Sequence, residues 1–172
     1  MKTAKEISII SVFVALLISG QLALSAVSGI EIVTALTVSF FYFFGLKRGL
    51  IVATAFSLLR CIIFGFIVNV VILYLIYYNL LALVIWLASK ALKSQTKIKD
   101  IIIVTAIAVV MTVLFTMIDN VLSLVMYGLS QNAFKVYVQA SLLTMVPQMI
   151  CVAITVPLLF VPLIRIYKTI KL

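Results

Sequence analysis

The sequence has no histidine, two cysteines and only four acidic side chains, Glu6, Glu31, Asp100 and Asp119. Without histidine there is no Ser-His-Asp arrangement and no H-E-x-x-H zinc helix, and four scattered carboxylates supply no acid-base pair. No glycine-rich phosphate loop occurs either, so neither an enzyme nor an ATPase is expected in this chain. Cys61 and Cys151 lie in apolar runs without metal-ligand spacing, which predicts packing residues and neither a metal site nor a bound cofactor.

What the chain has is apolar surface. Of 172 residues 66% are hydrophobic and 10% charged, with a mean hydropathy of +1.40. Soluble domains are roughly 45–50% apolar. Apolar runs recur between short polar breaks, and about 20 helical residues cross a bilayer core of about 30 Å. The runs do not alternate in polarity, which excludes the strands of a membrane barrel. The fold class is therefore an all-α integral membrane protein, a single domain of six transmembrane helices expected at residues 7–27, 30–44, 49–68, 69–92, 101–127 and 134–166. The second is short and interrupted by Thr34, Thr37 and Ser39, and Gly45-Leu46-Lys47-Arg48 reads as a tight turn after it. Pro147, Pro157 and Pro162 predict kinks in the last helix or its exit from the membrane. Lys2 and Lys5 before an apolar stretch resemble a signal peptide, but about 20 apolar residues exceed the usual h-region of about 7–15 and favour a retained helix.

A net charge of +9 would suggest nucleic acid in a soluble chain; here the cations sit between helices. With both termini cytoplasmic, Lys2, Lys5, Lys47, Arg48, Lys90, Lys93, Lys97, Lys99, Arg165, Lys168 and Lys171 fall inside, Lys135 falls outside and Arg60 lies within a helix. That asymmetry fits the positive-inside rule, so anionic lipid headgroups, and not nucleic acid, are the expected counterions.

Polar residues recur at helical spacing within the apolar runs. Thr112, Thr116, Asp119, Ser123 and Tyr127 share one face of helix 5; Tyr137, Ser141, Thr144 and Gln148 share one face of helix 6. The topology puts Asp119, Asn120, Ser123, Tyr127, Tyr137 and Ser141 in the outer half, with Glu31, Thr34, Tyr74 and Tyr78, as a candidate small-molecule site. Taken singly, the hydroxyls equally suit bonds to their own helices or interhelical glue, and the tyrosines an interfacial belt. Arg60 and Asp119 are ionisable groups inside the bilayer, which face a bundle interior or a wet cavity. Arg60 suits an ion pair with Glu31 or Asp119 as well as a substrate contact, and with Glu31 it would permit a zwitterion. Gln148 suits a cavity floor or a carbonyl freed by Pro147. Two stripes of small residues stand four apart, Ser11, Ala15, Ser19 and Ala23 on helix 1 and Gly49, Ala53, Ser57, Cys61 and Gly65 on helix 3. Such stripes let helix backbones approach closely, in a partner or within the fold, and these two could pack on each other.

The helix 1 stripe, the segment Gly29-Ile30-Glu31-Ile32-Val33-Thr34, the later Phe44-Gly45-Leu46-Lys47-Arg48-Gly49, the length and the six-helix pattern together resemble the substrate-binding, or S, components of energy-coupling factor vitamin transporters. The resemblance covers essentially the whole chain. It implies a subunit of a bacterial plasma membrane that captures a vitamin or related micronutrient outside. It would dock on a transmembrane coupling subunit driven by two ATPase subunits and topple in the membrane to deliver its cargo. The family's A-x-x-x-A docking motif maps onto Ala15 and Ser19, or Ser19 and Ala23, with serine for one alanine in either register. The family's site lies in the outer loops, above all between helices 1 and 2, and in the outer halves of helices 4, 5 and 6. The alternatives are a non-transporting membrane scaffold or morphogenesis protein and an autonomous carrier with Asp119 as its ion site.

Overall fold

The computed structural model describes residues 2–26, 30–92 and 97–170, which form six α-helices and no strand. They are α1 (Lys2–Leu24), α2 (Val33–Phe44), α3 (Leu46–Phe64), α4 (Val68–Ala91), α5 (Ile98–Tyr127) and α6 (Gln131–Thr169). The expected end of the first helix at Val27, the Ser28-Gly29 step, the polar Lys93-Ser94-Gln95-Thr96 connection and Lys171 lie outside the described residues. Four helices are long and apolar enough to cross a membrane, within Ala4–Leu24, Val68–Ala91, Ile98–Tyr127 and Gln131–Thr169. Together with the composition, they make this a membrane-embedded helical protein. α2 is shorter, about 18 Å long, and α3 carries Lys47, Arg48 and Arg60.

α2 is the axis of the bundle. It touches all five other helices, and every one of its residues except Phe43 is buried. The hydroxyls that interrupt its apolar sequence are satisfied locally, Thr37 Oγ1 donating to the Val33 carbonyl at 2.8 Å and Ser39 Oγ to that of Leu36 at 2.8 Å. A buried hydroxyl bonded to its own helix avoids most of the desolvation cost. Phe40 stacks on Phe13 of α1 with centroids 4.2 Å apart, and Tyr42 meets Phe160 of α6 edge-on at 5.1 Å. The core they build draws buried residues from all six helices.

Among the described residues, three glycines with positive φ set helix ends, one of them Gly128 at φ +57 after α5. Gly45, at φ +80, is by itself the link between α2 and α3, so Lys47 and Arg48 fall in the first turn of α3 and not in a four-residue turn. Cations are unfavourable at a helix N-terminus, and Glu6 of α1 offsets Arg48 by accepting from its Nη2 and Nε. Gly65, at φ +105, stops α3 at Phe64 rather than at residue 68. The prolines do not end α6, which runs about 58 Å through Pro147, Pro157 and Pro162.

The two small-residue stripes face different ways. On α3, Gly49, Ala53, Ser57 and Cys61 are buried. A methyl at Gly49 would stand 3.1 Å from Phe41 of α2 and 3.5 Å from Ala82 of α4, so this stripe seats α3 on its own neighbours. On α1 the buried face is Phe13, Val14 and Leu17, whereas Ser11, Ala15, Ser19 and Ala23 are exposed. Ser11, Ala15 and Ser19 border an open groove of about 340 Å³ whose other wall is Ala55, Leu59 and Ile63 of α3. The stripes therefore do not pack on each other.

Candidate functional site

The connection between α1 and α2 is pinned across the bundle at Glu31. Its backbone N–H donates to Cys151 Sγ of α6 at 3.2 Å, and the same thiol donates back to the Glu31 carbonyl at 3.3 Å. Cys151 thus does more than fill space: one thiol satisfies both backbone groups of a residue that has no helix to satisfy them. Thr34, in the first turn of α2, donates from Oγ1 to Glu31 Oε2 at 2.8 Å.

Above this anchor lies a cavity of about 340 Å³. Gly20, Gln21 and Leu24 of α1, Ser25 and Ile30 to Ile32 of the connection, Val33 of α2, Arg60 and Phe64 of α3, Tyr74 of α4, Phe115 of α5 and Gln148 of α6 line it. All six helices contribute, so the cavity is a property of the whole bundle. Its close walls need small residues in places: a methyl at Gly20 would meet Ile32 Cγ2 at 3.2 Å.

The electrostatics centre on Arg60. Its guanidinium carbon lies 4.4 Å from the ring centroid of Tyr74 and 5.1 Å from that of Phe64. Cation–π contacts of this kind contribute about 0.5–2 kcal/mol. Phe115 meets Tyr74 edge-on at 5.9 Å, and Gln21 Nε2 donates to Tyr74 Oη at 2.9 Å. The ion pair open to Arg60 in the sequence is not made: the salt bridge among the described residues is Arg48–Glu6, and Arg60 Nε is buried without a hydrogen bond. Gln21 Oε1 is buried and unpartnered too.

The expected site residues divide into groups. Glu31, Arg60, Tyr74 and Gln148 line the cavity, and Thr34 holds Glu31 from behind. Gln148 makes no hydrogen bond to a carbonyl freed by Pro147. Tyr78 is buried one layer back, 5.3 Å from Tyr74 and 4.9 Å from Phe56. Asp119, Ser123 and Tyr137 form a separate chain that runs in one direction, Asn69 Nδ2 to Ser123 Oγ (3.0 Å), Ser123 to Tyr137 Oη (2.9 Å), and Tyr137 to Asp119 Oδ2 (2.7 Å). It ties α4, α5 and α6 together outside the cavity lining. Asn120 Oδ1 is buried without a partner, Tyr127 is 57% exposed, and Ser141 donates to the carbonyl of Val138 on its own helix. Sequence reasoning missed Gln21, Phe64, Phe115, Asn69 and the bonding of Cys151. Only Gln21 carried a signal, as an amide inside an apolar run directly after Gly20.

Among the described residues no three His, Cys, Asp or Glu side chains converge as metal ligands. What the cavity offers is binding chemistry: a cation beside aromatic rings, a carboxyl, two amides and a phenol around one half-open pocket. Comparison with protein-family models, curated proteins and solved structures finds no match to this chain.

Proposed function

We propose that this chain is the substrate-capture subunit of an energy-coupling factor type importer in a bacterial plasma membrane. Its six helices cross the bilayer with both termini cytoplasmic. The observation that carries the reading is the cavity to which every helix contributes a wall, with an arginine that has no counter-ion among the described residues. A scaffold has no need of such a group, because an unpaired cation at membrane depth is costly. The basic ends of the helices mark the cytoplasmic side, where Lys47, Arg48, Lys90 and Lys168 gather, and the cavity opens at the other. A vitamin-like small molecule enters from outside, and the connection at Glu31 forms one wall of its site. The exposed α1 stripe then offers a close-approach face to a transmembrane coupling subunit, and two ATPase subunits drive delivery.

The test is a thermal-unfolding screen of the purified protein against a panel of vitamins and related metabolites. A ligand at a hundred times its Kd stabilises by about 2.7 kcal/mol, which for a chain of this size raises the Tm by about 5–11 °C. Stabilisation by none of the compounds would count against the proposal.

A further inference from the structure

The cavity holds two opposite charges that do not meet. Arg60 makes neither a hydrogen bond nor an ion pair among the described residues. Phe64 and Tyr74 lie against the guanidinium, and no oxygen of the described residues accepts from it, so its N–H groups are what it can offer to an oxygen of a bound molecule. Those groups fit a carboxylate or phosphate in a forked pair. Glu31 is held elsewhere, its backbone on Cys151 and one carboxylate oxygen on Thr34. Gln21, also in the lining, adds a second acceptor just beneath the cavity surface, an Oε1 with no donor, while its Nε2 is committed to Tyr74. The lining is thus divided into a donor side at Arg60 and an acceptor side at Glu31 and Gln21. Buried donor and acceptor groups without partners are costly, and a molecule with the reverse polarity satisfies both sides at once.

We infer that the cavity takes a compact amphoteric molecule, with an acid group on the guanidinium of Arg60 and a protonated amine or amidine on Glu31 and Gln21. This deepens the capture reading and rests on it. A volume of about 340 Å³ is near the lower end of ligand sites, roughly 300–1,000 Å³, so the molecule has one or two rings and no long side arm. The headgroup of a zwitterionic phospholipid shares this chemistry, and we assign the site to a free metabolite.

Two measurements test the assignment on the full-length protein. The first is mass spectrometry of what is extracted from protein purified without added ligand. The second is thermal stabilisation by 4-(aminomethyl)benzoate beside 4-methylbenzoate and 4-methylbenzylamine, each at millimolar concentration. The expected results are a co-purifying small molecule bearing both an acid and a base, and greater stabilisation by the amphoteric probe than by either analogue. Arg60→Gln weakens the amphoteric probe roughly tenfold to a hundredfold and removes its advantage over the amine, and Glu31→Gln removes its advantage over the acid. Arg60→Lys keeps the charge without the fork and recovers part of the loss, which separates recognition from misfolding. A co-purifying metabolite without an acid group overturns the amphoteric class and leaves the capture reading standing. Phospholipid as the sole extracted species, with no probe effect, overturns the metabolite assignment. No extracted molecule and no stabilisation by any probe or vitamin overturns both.

Discussion

Adding bulk to the two small-residue stripes has opposite consequences, and the difference follows from burial alone. Ala53 on α3 is 1% exposed and faces the interior; Ala15 on α1 is exposed beside the open groove. Ala53→Leu forces three more carbon atoms into a filled contact, which costs about 1–3 kcal/mol. At about 2–4 °C per kcal/mol for a chain of this length, its Tm falls by about 2–12 °C. Ala15→Leu extends into the open groove that Leu59 and Ile63 also line, not into a filled contact, and changes stability by no more than about 0.5 kcal/mol, about 1–2 °C. A thiol-reactive dye reads unfolding in detergent as the slow reaction of Cys61, which is buried in the fold, above that of the partly buried Cys151. Ala15→Trp extends the comparison: if the proposed docking on a coupling subunit holds, it prevents co-purification with that subunit and leaves ligand stabilisation unchanged. An Ala15→Leu Tm as depressed as that of Ala53→Leu would refute the reasoning, since the α1 stripe would then be packed inside the protein's own fold.

Other substitutions probe the remaining structure. Tyr137→Phe removes the hydroxyl that links Ser123 to Asp119 and costs about 1–3 kcal/mol in thermal unfolding, with ligand stabilisation unchanged because the chain lies outside the cavity. Gly65→Ala costs about 1–2 kcal/mol from its φ of +105 alone, since no atom lies within 4 Å of the added methyl. Cys151→Val releases both backbone groups of Glu31 and speeds hydrogen exchange and proteolysis between α1 and α2, whereas Cys151→Ser, which still donates and accepts, leaves them near wild type.

The helices were legible because long apolar runs have only one way to satisfy their backbone in lipid. Their ends were less so. Gly45 makes its turn in one residue, and a glycine in sequence does not reveal whether one or four residues will form the link. The stripes show the limit of spacing: four-residue steps of small residues are the same signal on α1 and α3, and only the packing of α3 on Phe41 and Ala82 distinguishes them. Within the candidate site, Glu31 and Tyr74 are legible as polar groups at one depth, Arg60 as a charge inside a helix and Gln148 as an amide a turn or two deeper, because charge and amides are costly in the bilayer. Spacing alone could not divide the polar groups. The chain from Asn69 to Asp119 lies nearer the start of α4, the end of α5 and the start of α6 than Tyr74, Phe115 and Gln148 do, and which polar groups meet across helices depends on how distant parts of the sequence pack. The serines and threonines of α2 had the local role, bonding their own carbonyls.

The central claim, that a small molecule is captured in the cavity beside the α1–α2 connection, is tested most directly by filling its mouth. Ser25 lines the cavity, is exposed, and uses its hydroxyl only on the Leu22 carbonyl one turn back, so Ser25→Trp occupies the entrance with little cost to the fold. Native mass spectrometry of the full-length protein, wild type beside Ser25→Trp, after incubation with a metabolite extract, reads the outcome in one spectrum each. The account predicts one small molecule bound to the wild type and its loss from the variant. Equal retention in both proteins, or none in either, would contradict it.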